Sequence, residues 1–96
     1  MKAYGRHGDL SFFVIDTPAD LTGYVDVDSP TLAGSHGGAH VVSGPCKLKR
    51  ENVTDQLLIV LADATVRHAD RHTTKPLPAR AYLVRAAVTT DGIVED

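Results

Sequence analysis

A chain of 96 residues is the length of one domain, and folding it hides only about 60–65% of the surface that the unfolded chain exposes. With 43% hydrophobic residues the composition is that of a folded domain with a thin core, which a bound metal or a partner subunit would support. Ten Lys and Arg against twelve Asp and Glu, net −2, give no electrostatic support for binding nucleic acid and no like-charge run that would act as a tail.

Met1 to Asp9 has no apolar segment of the kind a secretory leader carries, and the longest apolar run, Leu57 to Ala62, is far too short to cross a bilayer. The expected location is therefore the cytoplasm, or a virion assembled there, with no membrane partner. Residues 1–8 read as a loose end. Leu10 to Ile15, rich in aromatic and β-branched residues, predicts a strand buried on both faces or nearly so, ended by Pro18. Apolar and acidic residues alternate from Val25 to Asp28, the period of a strand with one wet face, and Ser29-Pro30 closes it. Gly34 to His40 reads as a glycine-rich loop and His40 to Ser43 as a strand, followed by a Gly44-Pro45 turn. Cys46 to Arg50 reads as the return strand of a hairpin.

Gln56 to His72 has two readings. As a helix it would place Leu57, Leu61 and Ala64 on one face. As sheet it is a central strand, a bend at Asp63 and a second strand around Thr65-Val66-Arg67, and this reading is preferred. Lys75-Pro76-Leu77-Pro78 predicts a stiff extended connector. Ala81 to Val88 is the last strand, and 89–96 a loose polar tail. Short strands with turn signals every ~8–12 residues predict a mostly β fold, a small single-domain antiparallel barrel or sandwich over 1–96.

The five histidines, His7, His36, His40, His68 and His72, all fall in polar, loop-like stretches. Two pairs share one spacing, His36 with His40 and His68 with His72. Imidazole nitrogen suits zinc and other divalent transition ions, and two pairs brought together by a β fold would supply three or four donors. A pH-sensitive cluster is a lesser option, because several imidazoles together repel one another below about pH 6.5. Asp9 and Asp70 could orient imidazoles or act as a general base, and Asp9 also reads as the cap of a turn before the first strand. Cys46 is the single cysteine, which excludes an internal disulfide, a cysteine zinc ribbon and a thioredoxin-like motif; it reads as a small buried residue. There is no nucleophile elbow, phosphate-binding loop or dinucleotide fingerprint. The Asn52-Val53-Thr54 glycosylation pattern carries little meaning without a leader.

Arg6-His7-Gly8-Asp9 ahead of a strand, the histidines between Gly34 and His40, the late His68 to His72 pair, Leu77-Pro78 and Tyr82 together form a pattern. From Arg6 to about Arg85 the chain resembles a family of small uncharacterised proteins of phages and bacteria, which open with Arg-(His/Gln)-Gly-Asp. In that family a Gly-His-x-His loop, a late His-x-x-His and a Leu-Pro element precede a tyrosine-bearing strand. Here the first pair is wider by two residues, the second by one, and Arg80-Ala81 replaces the glycine usual before the tyrosine. The resemblance implies a small β fold in a phage or prokaryotic setting.

Three functional expectations follow. The first is an accessory protein binding a divalent metal, zinc among the options, through His36, His40, His68, His72 and His7, with Asp9 and Asp70 behind them. The second is a structural or interaction protein such as a capsid decoration or tail component, partnered with itself or with a phage shell protein, its histidines incidental. The third is a metal-dependent hydrolase with Asp9 or Asp70 as base, for which a chain this short offers little surface. The expectation leans away from an enzyme.

Overall fold

The computed structural model of the protein describes residues 1–33, 39–68, 74–89 and 92–93. Every element among them is a strand: β1 (Lys2–His7), β2 (Leu10–Ile15), β3 (Val25–Asp28), β4 (Thr31–Ala33), β5 (Ala39–Val42), β6 (Pro45–Arg50), β7 (Asp55–Val60), β8 (Ala64–His68), β9 (Thr74–Leu77), β10 (Ala81–Ala86), β11 (Val88–Thr89) and β12 (Gly92–Ile93). The larger sheet has the order β1-β2-β10-β7-β6-β3 and the smaller β4-β5-β8-β9, all antiparallel; β11 and β12 pair separately. The two sheets are not closed into a barrel and form a sandwich. No helix among the described residues is long and apolar enough to cross a membrane.

Residues 2–7, expected as a loose end, are strand β1. They pair with β2 through a tight hairpin whose turn is Gly8-Asp9, with His7 opposite Leu10. Gly8 has φ 60°, the positive value that the first central residue of such a turn requires and that glycine adopts without steric cost. The register slips between Ala3 and Gly5, a bulge that kinks this edge strand. In β2, Leu10 and Phe12 are buried while Phe13, Val14 and Ile15 are half-buried, so the strand is less enclosed than its apolar run implied. In β3 Val27 is half-buried but Val25 is 57% exposed, because this strand is the short outer edge of its sheet.

Gln56 to His68 is sheet, as preferred: β7 lies in the larger sheet and β8 in the smaller. Asp63 stands in the bend between them, its Oδ1 accepting from the Ala79 N–H at 2.9 Å. Cys46 to Arg50 is a strand but not the return arm of a hairpin with His40 to Ser43. It pairs with β7 and β3, whereas β5 pairs with β4 and β8. The chain changes sheets here. Gly44, at φ 93°, takes it from β5 to β6, and Ser29, at φ 54°, takes it from β3 to β4. The two crossings are bonded to each other, Ser29 N–H to the Gly44 carbonyl at 2.7 Å and Gly44 N–H to Ser29 Oγ at 3.1 Å. The Lys75 to Leu77 connector is extended as expected and serves as β9, an edge strand, where Pro76 can sit without interrupting a ladder on both sides.

The core lies between the inner faces. The larger sheet contributes Leu10, Phe12, Cys46, Leu58, Val60, Tyr82 and Val84, and the smaller Leu32, Val42, Val66 and Leu77. Tyr82 meets Phe12 edge-to-face at 6.1 Å and Tyr4 at 5.8 Å, contacts worth ~0.5–1.5 kcal/mol each beyond area burial. Tyr4 also fastens the two sheet edges together. Its hydroxyl donates to the Pro76 carbonyl at 2.5 Å, and Lys75 Nζ lies 5.0 Å from its ring centre.

Tyr82 is fully buried, and its hydroxyl donates to the Pro78 carbonyl at 2.7 Å. Burial, with Tyr4 nearby, pushes its phenol up to about 12 from an ordinary 10.0. A raised acid pKa stabilises the fold fully below the unfolded value and loses that contribution as pH climbs through the folded one. Urea unfolding followed by circular dichroism should therefore show stability falling between about pH 10 and pH 12. Tyr82→Phe should be less stable by about 1 kcal/mol at neutral pH and show a shallower alkaline loss.

Candidate functional site

The period of two along each strand places the site residues. Leu10 faces the interior, so its cross-strand partner His7 does as well. In β5 the inward residues are His40 and Val42, and in β8 they are Val66 and His68. His40 pairs directly with His68 across that ladder. The histidines expected in polar loops are thus buried: His40 is 0% exposed, His7 4% and His68 6%. Asp9, in the turn after β1, is 0% exposed, and its carbonyl accepts from the Ala87 N–H at 2.9 Å, which ties the turn to the end of β10.

These four residues form one cluster between the larger sheet's first hairpin and the central strands of the smaller sheet. His7 Nδ1 and His40 Nδ1 are 2.7 Å apart. On its other side, His40 Nε2 lies 3.3 Å from Asp9 Oδ1. The His40 ring meets His7 at 5.0 Å and His68 at 4.9 Å between ring centres, both edge-on. His40 is therefore the hub, with a neighbour on each side and a carboxylate behind.

Of the residues singled out in the sequence, His7, Asp9, His40 and His68 come together. His36, His72 and Asp70 lie outside the described residues. The cluster is assembled across the sandwich: His7 and Asp9 come from the larger sheet, His40 and His68 from the smaller. Among the described residues, no three His, Cys, Asp or Glu side chains are arranged so as to hold a metal ion already. The two facing nitrogens at 2.7 Å are at hydrogen-bond distance. Donors on a tetrahedral zinc, with bonds of about 2.0–2.1 Å, stand about 3.3 Å apart.

Elsewhere an open cleft of about 400 Å³ is lined by Asp26, Val27, Asp28, Pro45, Cys46 and Leu61, none of them part of the cluster. Cys46 is 1% exposed, and burial, reinforced by Asp28, pushes its thiol up to about 11. It is a neutral thiol at physiological pH, packed as a small apolar residue and not a nucleophile. The Asn52-Val53-Thr54 segment is a turn in which Asn52 Oδ1 accepts from the N–H groups of Thr54 and Asp55, both at 2.9 Å.

Compared with protein-family models, with curated proteins and with solved structures, the chain matches none.

Because His40 bonds in both directions inside the core, its loss should affect both neighbours. His40→Ala is expected to destabilise the fold by about 3 kcal/mol, the sum of a cavity and disrupted buried polar contacts. In a double-mutant cycle with His7→Ala, read from urea unfolding curves, the two changes should be non-additive by more than about 0.5 kcal/mol.

Proposed function

We propose that the cluster binds a divalent transition metal ion, with His7, His40 and His68 as nitrogen donors and Asp9 orienting His40. One observation carries this reading: two imidazole Nδ1 atoms from different sheets point at one another 2.7 Å apart, deep in the sandwich, with a third imidazole against the second. Neutral imidazole is a donor for zinc, copper, nickel and iron. A metal-binding histidine commonly gives its other ring N–H to a carboxylate, and Asp9 Oδ1 stands 3.3 Å from His40 Nε2. Reaching ligand spacing requires the two facing nitrogens to part by about half an ångström. The resemblance to small phage and bacterial proteins would put the protein in a phage or prokaryotic setting, and zinc is the ion to offer first.

Elemental analysis of untagged protein by inductively coupled plasma mass spectrometry, before and after zinc is offered and the excess removed, tests the reading. Close to one ion per chain is expected, lost in His40→Ala and reduced in His68→Ala. Zinc at a hundred times its dissociation constant should add about 2.7 kcal/mol to stability, removed by chelator. His36→Ala and His72→Ala, measured alongside, show whether the donor set extends to those positions. Protein that holds no metal under these conditions would overturn the proposal. The surviving reading would then be an interaction protein, self-associating or bound to a phage shell, in which the cluster only joins the sheets.

A further inference from the structure

We propose that the outer face of the larger sheet is where a second copy of this chain docks, face to face about a two-fold axis. This holds whether or not the histidine cluster binds a metal. A sheet that covers a core on one side normally turns polar residues to the other. Here Phe12, Leu58, Tyr82 and Val84 belong to the core, so their neighbours in sequence point away from it. Those neighbours are apolar too. The register lines them up across three adjacent strands, Phe13, Leu83 and Leu57 in one row and Ile15, Ala81 and Ile59 in the next. Phe13, Ile15, Leu57 and Leu83 are only half-buried, and none of the six is part of the core cluster. The exposed Arg85 marks the same face, its guanidinium 5.9 Å from the Phe13 ring centre.

The two edges of the sheet single out the occupant. β1, at one edge, carries Lys2 and Arg6 and no acid; β3, at the other, carries Asp26 and Asp28 and no Lys or Arg. A two-fold axis lying between the copies and running along the strands at mid-sheet reverses the strand order. It lays β1 of each copy over β3 of the other, β2 over β6 and β10 over β7. Each basic edge then meets an acidic one. At the centre Leu83 faces Leu57 of the second copy, and Ala81 faces its Ile59. Phe13 faces the second copy's Lys49, whose stem can lie along apolar surface with its ammonium against the ring. An axis across the strands would instead set β1 on β1 and β3 on β3, like charge against like. The size also suits a second copy. A six-stranded sheet at about 4.8 Å per strand and about 20 Å along the strands offers about 500 Å². Two such faces together hide about 1,000 Å², where specific interfaces begin.

Sedimentation equilibrium of the full chain over a wide range of concentrations tests this, with chelator present so that no metal-bridged species is counted. A monomer–dimer equilibrium is expected. Leu83→Glu puts a charge at the centre of the face and should weaken it by about 30-fold or more. Lys2→Glu with Arg6→Glu, or Asp26→Lys with Asp28→Lys, should each weaken it by about fivefold, and all four changes together should restore it. A chain that stays monomeric throughout would overturn the proposal and leave the face to a different protein. So would a folded Leu83→Glu protein that dimerises as the wild type does. Failure of the four-residue exchange to restore the dimer would overturn the pairing of β1 with β3. The four edge positions are exposed, so these variants keep the proposal testable even if Leu83→Glu does not fold.

Discussion

An imidazole removed from water must have its ring nitrogens matched, and this small sandwich places three imidazoles and a carboxylate in its interior. Leaving any one of those polar atoms without a partner would cost about 1–3 kcal/mol, a large share of the 5–15 kcal/mol by which a domain is stable. The matching is done across the gap between sheets: His7 and Asp9 ride on the first hairpin of one sheet, and His40 and His68 on adjacent strands of the other. The position of the first hairpin against the smaller sheet is therefore set by directional bonds as well as by apolar contact. Apolar packing alone would tolerate sliding, whereas a 2.7 Å contact between two ring nitrogens tolerates little.

The other fixed points of the sandwich serve the same registration. Ser29 and Gly44 both hold positive φ where the chain changes sheets, and they hydrogen-bond to each other. Tyr4 reaches from β1 to the Pro76 carbonyl of β9 and binds the sheets along another edge. Between these fastenings β5 is held in the register that brings His40 opposite His68.

Much of the fold was legible because it rests on local pattern. The aromatic and β-branched run from Leu10, the alternation after Val25 and the apolar block at Leu57 all became strands. The preference for sheet over helix between Gln56 and His68 held, since Asp63 marks the bend where the chain passes from one sheet to the other. Strand pairing was not legible. Gly44-Pro45 reads as a hairpin turn, yet it is a crossing between sheets, and nothing local separates the two. Equal spacing to His36 and His72 singled out His40 and His68, which do face one another across β5 and β8, whereas His7 and Asp9 meet His40 through tertiary contact that leaves no local signal. His40 and His68 carry a further signal: His40 stands two residues before Val42 and His68 two after Val66, so the strand period puts both on the core face. Histidine's polarity argued for loops, and the periodicity argued for the interior.

His7 and His40 are separated by 33 positions in the chain, and Asp9 and His40 by 31. Bringing such distant segments together costs loop-closure entropy that local contacts do not recover, and antiparallel sheets assembled this way fold slowly, on the millisecond-to-second scale. The cluster cannot exist in a single hairpin or in one sheet alone, so it is completed only when both sheets dock. Anything that needs the assembled cluster therefore favours the docked sandwich over its separated layers, and so helps to hold the two sheets together.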